Sequence, residues 1–119
     1  MDNTLGLLGI AKKAGLLAIG SEQTAISARQ GKAHLILSAS DASAGAVRRA
    51  KSNAENYDTK YLAVSYSKFE IGSITGRGSP GVLAILDKGL AESFLKKIKP
   101  PPAIPIKPVD TKTRKESDA

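Results

Sequence analysis

The chain has 119 residues, 41% of them apolar, which is room for one domain with a small core. It contains no cysteine, which excludes disulfides, thiol catalysis and thiolate metal sites. Its formal net charge of +7, from 18 Lys and Arg against 11 Asp and Glu, favours a polyanionic partner. No apolar run is long enough to span a membrane, and the N-terminus lacks a basic region followed by an apolar stretch. A cytoplasmic protein with no membrane partner is expected.

In chain order, Leu7, Ile10, Ala11 and Ala14 recur at helical spacing, and Gly15 is placed to end that helix in a left-handed cap. "LLAI" (16–19) predicts a short strand. "SEQTAISARQ" (21–30) predicts a second helix, with Gly20 or Ser21 at its N-cap and Gly31 beyond its end. "HLILSA" (34–39) reads as a buried strand. Ser40 or Asp41 is expected to cap a third helix whose inner stripe is Val47, Ala50, Ala54 and Tyr57. "KYLAVSY" (60–66) is the next strand. Ser67-Lys68-Phe69-Glu70 is a capping box, with Tyr66 and Ile71 spaced as its hydrophobic staple. "VLAIL" (82–86) is a fourth strand, and a last helix carries Leu90, Phe94 and Ile98 on one face. Strands separated by helices predict an α/β fold, a three-layer α/β/α sandwich.

Beyond Ile98 the composition changes. Residues 99–119 hold five of the six prolines, together with five basic and three acidic residues. Proline fixes φ and lacks the amide donor, so neither a helix nor an inner strand is expected there. The chain therefore divides into a domain over 1–98 and a proline-rich, basic, disordered tail over 99–119.

Gly76-Arg77-Gly78-Ser79-Pro80-Gly81 matches the pattern G-x-G-x-x-G. A dinucleotide-binding loop follows a strand and opens a helix, so that free amides face the pyrophosphate. Here the glycines follow a helix and precede a strand. They read instead as a flexible turn that leaves Arg77 and Ser79 exposed. The single histidine, His34, lies at a strand start and reads as a surface residue, since one imidazole builds no metal site. Asp41, Glu55, Asp58 and Asp87 all fit cap, turn and surface roles. No nucleophile has a base and an orienting group encoded near it. No catalytic residue, metal site or cofactor is assigned, and an enzyme is not expected.

Gly20 to Lys32, "GSEQTAISARQGK", is more informative. A glycine precedes a helix whose first turn is polar, and free amides at a helix N-terminus suit a phosphate. Ser21, Gln23 and Thr24 carry groups that hydrogen-bond base edges, and Gln both donates and accepts. Arg29 and Lys32 continue the basic character. Ordinary helix capping explains the same residues, so spacing alone leaves both readings open.

At this segment the chain resembles the kink-turn-binding ribosomal protein family, and within it the small bacterial YlxQ-like members. The matching pieces are "LLGIAKKAGLLAIG", "GSEQTAISARQGKAHLILSASDAS", "NYDTKYLAVSYSKFEIGSITGRGSPGVLAIL" and "DKGLAESFLKKI", in order, over residues 3 to 97. The resemblance implies an α/β/α sandwich around a four-stranded mixed sheet. It also implies that a Gly-x-Asn-Glu-x-x-Lys run opening the second helix reads sheared guanine–adenine pairs beside an RNA bend. A second loop, before the last strand, then covers a splayed nucleotide. Carried over, the glycine is Gly20, the asparagine position is Glu22, the glutamate position is Gln23 and the lysine position is Ile26. The second loop becomes Arg77, Gly78, Ser79 and Pro80.

Gln23 keeps an acceptor for a guanine amino group, whereas Glu22 brings a negative charge and Ile26 removes a cation. Arg29 falls on the same helix stripe as Glu22 and Ile26 and stands in for the missing lysine. The expectation is a small ribosome-associated protein that binds structured RNA, ribosomal or other, with the ribosome or translation factors as further partners. Gly20, Ser21, Glu22, Gln23, Thr24 and Ile26 form the reading surface, Arg29, Lys32 and Arg77 contact phosphates, and Gly78, Ser79 and Pro80 pack on a base or sugar. The alternative is a protein-interaction module of the translation apparatus that kept the fold and lost kink-turn recognition. It takes Ile26 as an exposed contact anchor.

Overall fold

A computed structural model describes residues 3–76 and 78–97. Arg77, Ile98 and the expected tail over 99–119 lie outside the described residues. Among the described residues, helices and strands alternate as α1 (Asn3–Lys13), β1 (Leu17–Ile19), α2 (Ser21–Arg29), β2 (Leu35–Ser38), α3 (Ala44–Asn56), β3 (Lys60–Ala63), α4 (Lys68–Thr75), β4 (Val82–Ile85) and α5 (Lys88–Lys97). The four strands form one mixed sheet in the order β1-β4-β2-β3. β4 runs antiparallel to both β1 and β2, while β2 and β3 are parallel and α3 makes the crossover between them.

The sheet separates two apolar layers, because successive strand residues face opposite sides. Leu35, Leu37, Leu83 and Ile85 join Leu8, Ile71, Ala91 and Phe94 on the side of α1, α4 and α5. Ile36, Val82 and Ala84 join Ala18, Ala28, Ala50 and Ala54 on the side of α2 and α3. The second layer is mostly alanine, so α2 and α3 lie close to the sheet. Ser38 is buried in that layer and shares a hydrogen bond of 2.5 Å with the Tyr61 hydroxyl.

Local expectations hold at the capping box. The Ser67 side chain accepts from the Glu70 amide, and the Glu70 carboxylate accepts from the Ser67 amide at 2.8 Å. Tyr66 and Ile71, the staple pair, are both buried in the larger core.

Three local expectations need correction. The cap of α3 is Ser43, whose hydroxyl accepts from the Ala46 amide at 3.1 Å. Ser40 and Asp41 are drawn elsewhere: the Ser40 amide donates to the Tyr66 carbonyl, and Asp41 accepts from the Lys68 amide. In α1 the buried stripe is Thr4, Leu8 and Ala11, and Ile10 is 58% exposed. Apolar residues fill almost every position from Leu5 to Ala11, so periodicity alone could not select the buried face. Tyr57, expected on the inner stripe of α3, is the residue that ends that helix, and it is exposed.

Candidate functional site

The strand pairings collect the chain's most distinctive features at one edge of the sheet. Ile19 pairs with Leu83, Ser38 with Val82, and Ser38 with Ala63. The carboxyl ends of β1, β2 and β3 therefore lie beside the amino end of β4. Helices α2, α3 and α4 all begin at this edge, and the loop 78–81 enters it. Three backbone bonds of 2.8 Å knit it together: Gly20 donates to Val82, Ala39 to Gly81, and Ser40 to Tyr66.

The three helix entrances differ. At α3 and α4 a serine caps the first turn, and Asp41 adds a bond to the Lys68 amide. At α2 the N-cap is Gly20, with φ 100° and ψ 158° and no side-chain cap. That backbone geometry is open essentially to glycine alone. It turns the chain so that the Gly20 amide bonds to β4 while its carbonyl accepts from Thr24. The amides of Ser21, Glu22 and Gln23 have no acceptor among the described residues. Glu22 and Gln23 are exposed, and Ser21 is partly so. Three adjacent free donors carrying the positive end of the helix dipole form a natural seat for a phosphate or carboxylate.

The glycine-rich loop is held against α4. Gly72 is buried, and a Cβ added there would overlap the Gly78 carbonyl oxygen. At the other end of the loop, Gly81 lies against Ala42 and the aliphatic stem of Lys68, with distances of 3.4 and 3.6 Å from the place a Cβ would take. The loop is thus a lip laid along α4 from Gly72 to Lys68. Gly78 and Ser79 are exposed at its outer side, and Pro80 is half-buried. Gly72, which seats the lip, was not singled out from sequence; its one local signal is a glycine inside a helical run.

The fold brings Gly20, Ser21, Glu22 and Gln23 to the same sheet edge as Gly78, Ser79 and Pro80. Other expected residues do not join them. Thr24 is 0% exposed, so its hydroxyl cannot meet a base edge. With Ser27 and Ala28 it forms the buried face of α2, because positions i, i+3 and i+4 share one side of a helix. Ile26 is partly exposed, one turn after Glu22 on the same side of α2. Arg29 is exposed, but lies at the far end of α2, about 12 Å from Ser21 along the axis. Lys32 follows, exposed, toward the opposite sheet edge where β2 begins. Arg77 lies outside the described residues.

The carboxylates have structural work. Asp87 accepts from the Leu90 amide at the start of α5, and Asp58 occupies a turn with φ 52°. Glu55 and His34 are exposed. Among the described residues no group of three or more His, Cys, Asp or Glu is placed to hold a metal ion, and no helix is long and apolar enough to cross a membrane.

No family model matches the chain. Solved structures share its fold. A protein of unknown function from Bacillus halodurans superposes with a TM-score of 0.74 at 23% identity, over 81% of this chain and 96% of that one. A 15.5 kD RNA-binding protein from Giardia lamblia superposes with a TM-score of 0.64 at 20% identity, over 78% and 82%. In sequence, the RNA-binding protein YlxQ of Enterococcus faecium is 31% identical over 91 residues, which cover 76% of this chain and 86% of that protein. On that relationship the chain belongs to the bacterial YlxQ-like family, with the fold that the solved structures share.

Proposed function

We propose that this chain is a small RNA-binding protein that grips structured RNA, a kink-turn in the first instance, at the sheet edge shared by α2 and the lip. The observation that carries the reading is the α2 entrance. It leaves three adjacent amides unsatisfied at an exposed surface, while the neighbouring entrances of α3 and α4 are capped. The name of the Enterococcus faecium relative, an RNA-binding protein, supports it.

In this reading the amides of Ser21, Glu22 and Gln23 hold a backbone phosphate. The exposed Gln23 amide reads a purine edge, donating and accepting at once. Ser79 and Pro80 flank a splayed nucleotide. Glu22 faces the same entrance; as an acidic residue in the first turn it favours the helix, and it accepts from a base amino group rather than meeting phosphate. Ile26 is only partly exposed, so it offers a protein partner a smaller apolar contact than a fully exposed anchor would. Association with the ribosome, and with it a cytoplasmic location, follows as part of the same proposal.

A fluorescence-anisotropy titration tests it, comparing a kink-turn RNA with a straight duplex of equal length. Tighter binding to the kink-turn is expected, with about 5- to 100-fold loss on Gln23→Ala. Binding weaker than micromolar to both RNAs, indifferent to Gln23→Ala, refutes the reading.

A further inference from the structure

Phe69 is 77% exposed, more than any other large apolar side chain described. Its neighbours have defined tasks: the Lys68 amide is held by Asp41, and Glu70 closes the capping box. Phe69 itself serves neither core cluster.

Its location is specific. Residues three and four apart share one face of a helix, so Phe69 stands one turn before Gly72 and Ser73 on the same stripe of α4. The lip covers that stripe at Gly72, where the Gly78 carbonyl lies against the bare Cα, and it meets Lys68 at Gly81. The lip thus runs along α4 from Lys68 to Gly72, on the flank beside Phe69. A helical side chain leans toward the N-terminus of its helix, which here is the edge carrying the free amides of α2.

The surroundings select the kind of partner. A protein-binding anchor sits within a contiguous apolar patch. Phe69 has Lys68 and Glu70 beside it and exposed Ser73 one turn on, all polar. A ring with polar sequence neighbours, next to a cationic residue and a backbone lip, matches the platforms on which unpaired bases stack, since every base offers a π face.

We propose that Phe69 is a stacking platform for an unpaired RNA base delivered to the lip, extending the reading surface from the α2 entrance onto α4. This contact rests on the RNA-binding reading above. It is independent of sequence at the stacked position, so it adds affinity and tolerates any base there.

The probes are a kink-turn RNA with 2-aminopurine at the splayed bulge nucleotide and the same RNA abasic at that nucleotide. On the first, Phe69→Ala is expected to weaken binding about 5- to 100-fold and to abolish the stacking-induced loss of 2-aminopurine emission. On the abasic RNA, wild type and Phe69→Ala bind alike. Because the chain has no tryptophan, Phe69→Trp restores affinity and supplies a single emission that the RNA quenches. The exposed ring contributes little to folding, and equal melting temperatures check that. If Phe69→Ala binds both probes as wild type does while Gln23→Ala still weakens binding, the platform is refuted and the α2 reading stands. If wild type binds neither probe, both fall. A partner protein that survives RNase and is lost on Phe69→Ala also overturns the assignment.

Discussion

At Gly20 the backbone conformation is itself the determinant. With φ 100° and ψ 158°, a side chain there is strained by about 1–3 kcal/mol. Gly20→Ala is expected to lower the unfolding free energy by that amount in urea titrations, and to weaken RNA binding by turning the α2 amides. Thr24 is the contrasting case. Its buried hydroxyl has no hydrogen-bond partner among the described residues. Thr24→Val keeps the shape and removes a polar atom whose burial is uncompensated, so stability is expected to be unchanged or raised by about 1 kcal/mol. RNA affinity stays as in wild type, and a clear loss would return the Thr24 hydroxyl to the interface. Gly72→Ala gains helix propensity of about 1 kcal/mol, yet its methyl group overlaps the Gly78 carbonyl. The lip must lift. Shifted amide signals for Gly78, Ser79 and Gly81 and reduced RNA affinity, with helix content retained, are the expected result.

Among whole elements, the comparison of α2 with α4 explains where binding is possible. Both begin at one sheet edge, but at α4 Ser67 and Glu70 cap each other and Asp41 takes the Lys68 amide. Ser67→Ala leaves the Glu70 amide without its acceptor and is expected to cost about 0.5–2 kcal/mol, measured by chemical denaturation. No such local change is available at α2, whose entrance offers donors to an outside acceptor. The loop 78–81 depends on α4 in turn, because both of its ends rest there. A well-capped α4 is therefore the support, and the uncapped α2 the reader.

Over the whole molecule, the salt dependence of binding is set by the cations that contact phosphate, and the fold decides which of the 18 Lys and Arg those are. Arg29 lies on the outer stripe of α2, within reach of an RNA seated at its entrance and running along the helix. Lys32 lies beyond the helix, toward the opposite sheet edge. Arg29→Ala is expected to reduce the slope of log K against log salt by about 0.7–0.9, the share of one phosphate contact, while Lys32→Ala leaves it unchanged. Equal effects of the two would mean that the RNA runs past the end of α2 onto the loop that carries Lys32.

Element types and their order were readable from the chain itself, because each rests on local physics. The continuous apolar runs in "HLILSA" and "VLAIL", the capping box at Ser67 and the glycines at 15, 20 and 31 act over a few residues, and the structure has them as read. The resemblance to a known family brought the α2 entrance and the lip forward as candidates. Tertiary structure alone decided what those residues face. Thr24 and Ile26 lie in the same polar run as Gln23, and only packing of α2 against the sheet and α3 buries the first and half-buries the second. Asp41 left its own helix for the Lys68 amide, a bond across 27 residues. The seating of the lip on Gly72 and Lys68 likewise joins segments that sequence distance does not relate. Periodicity reports that a side of a helix is apolar or polar; which neighbour covers that side is set by the sheet order β1-β4-β2-β3, and no short window of the chain encodes that order.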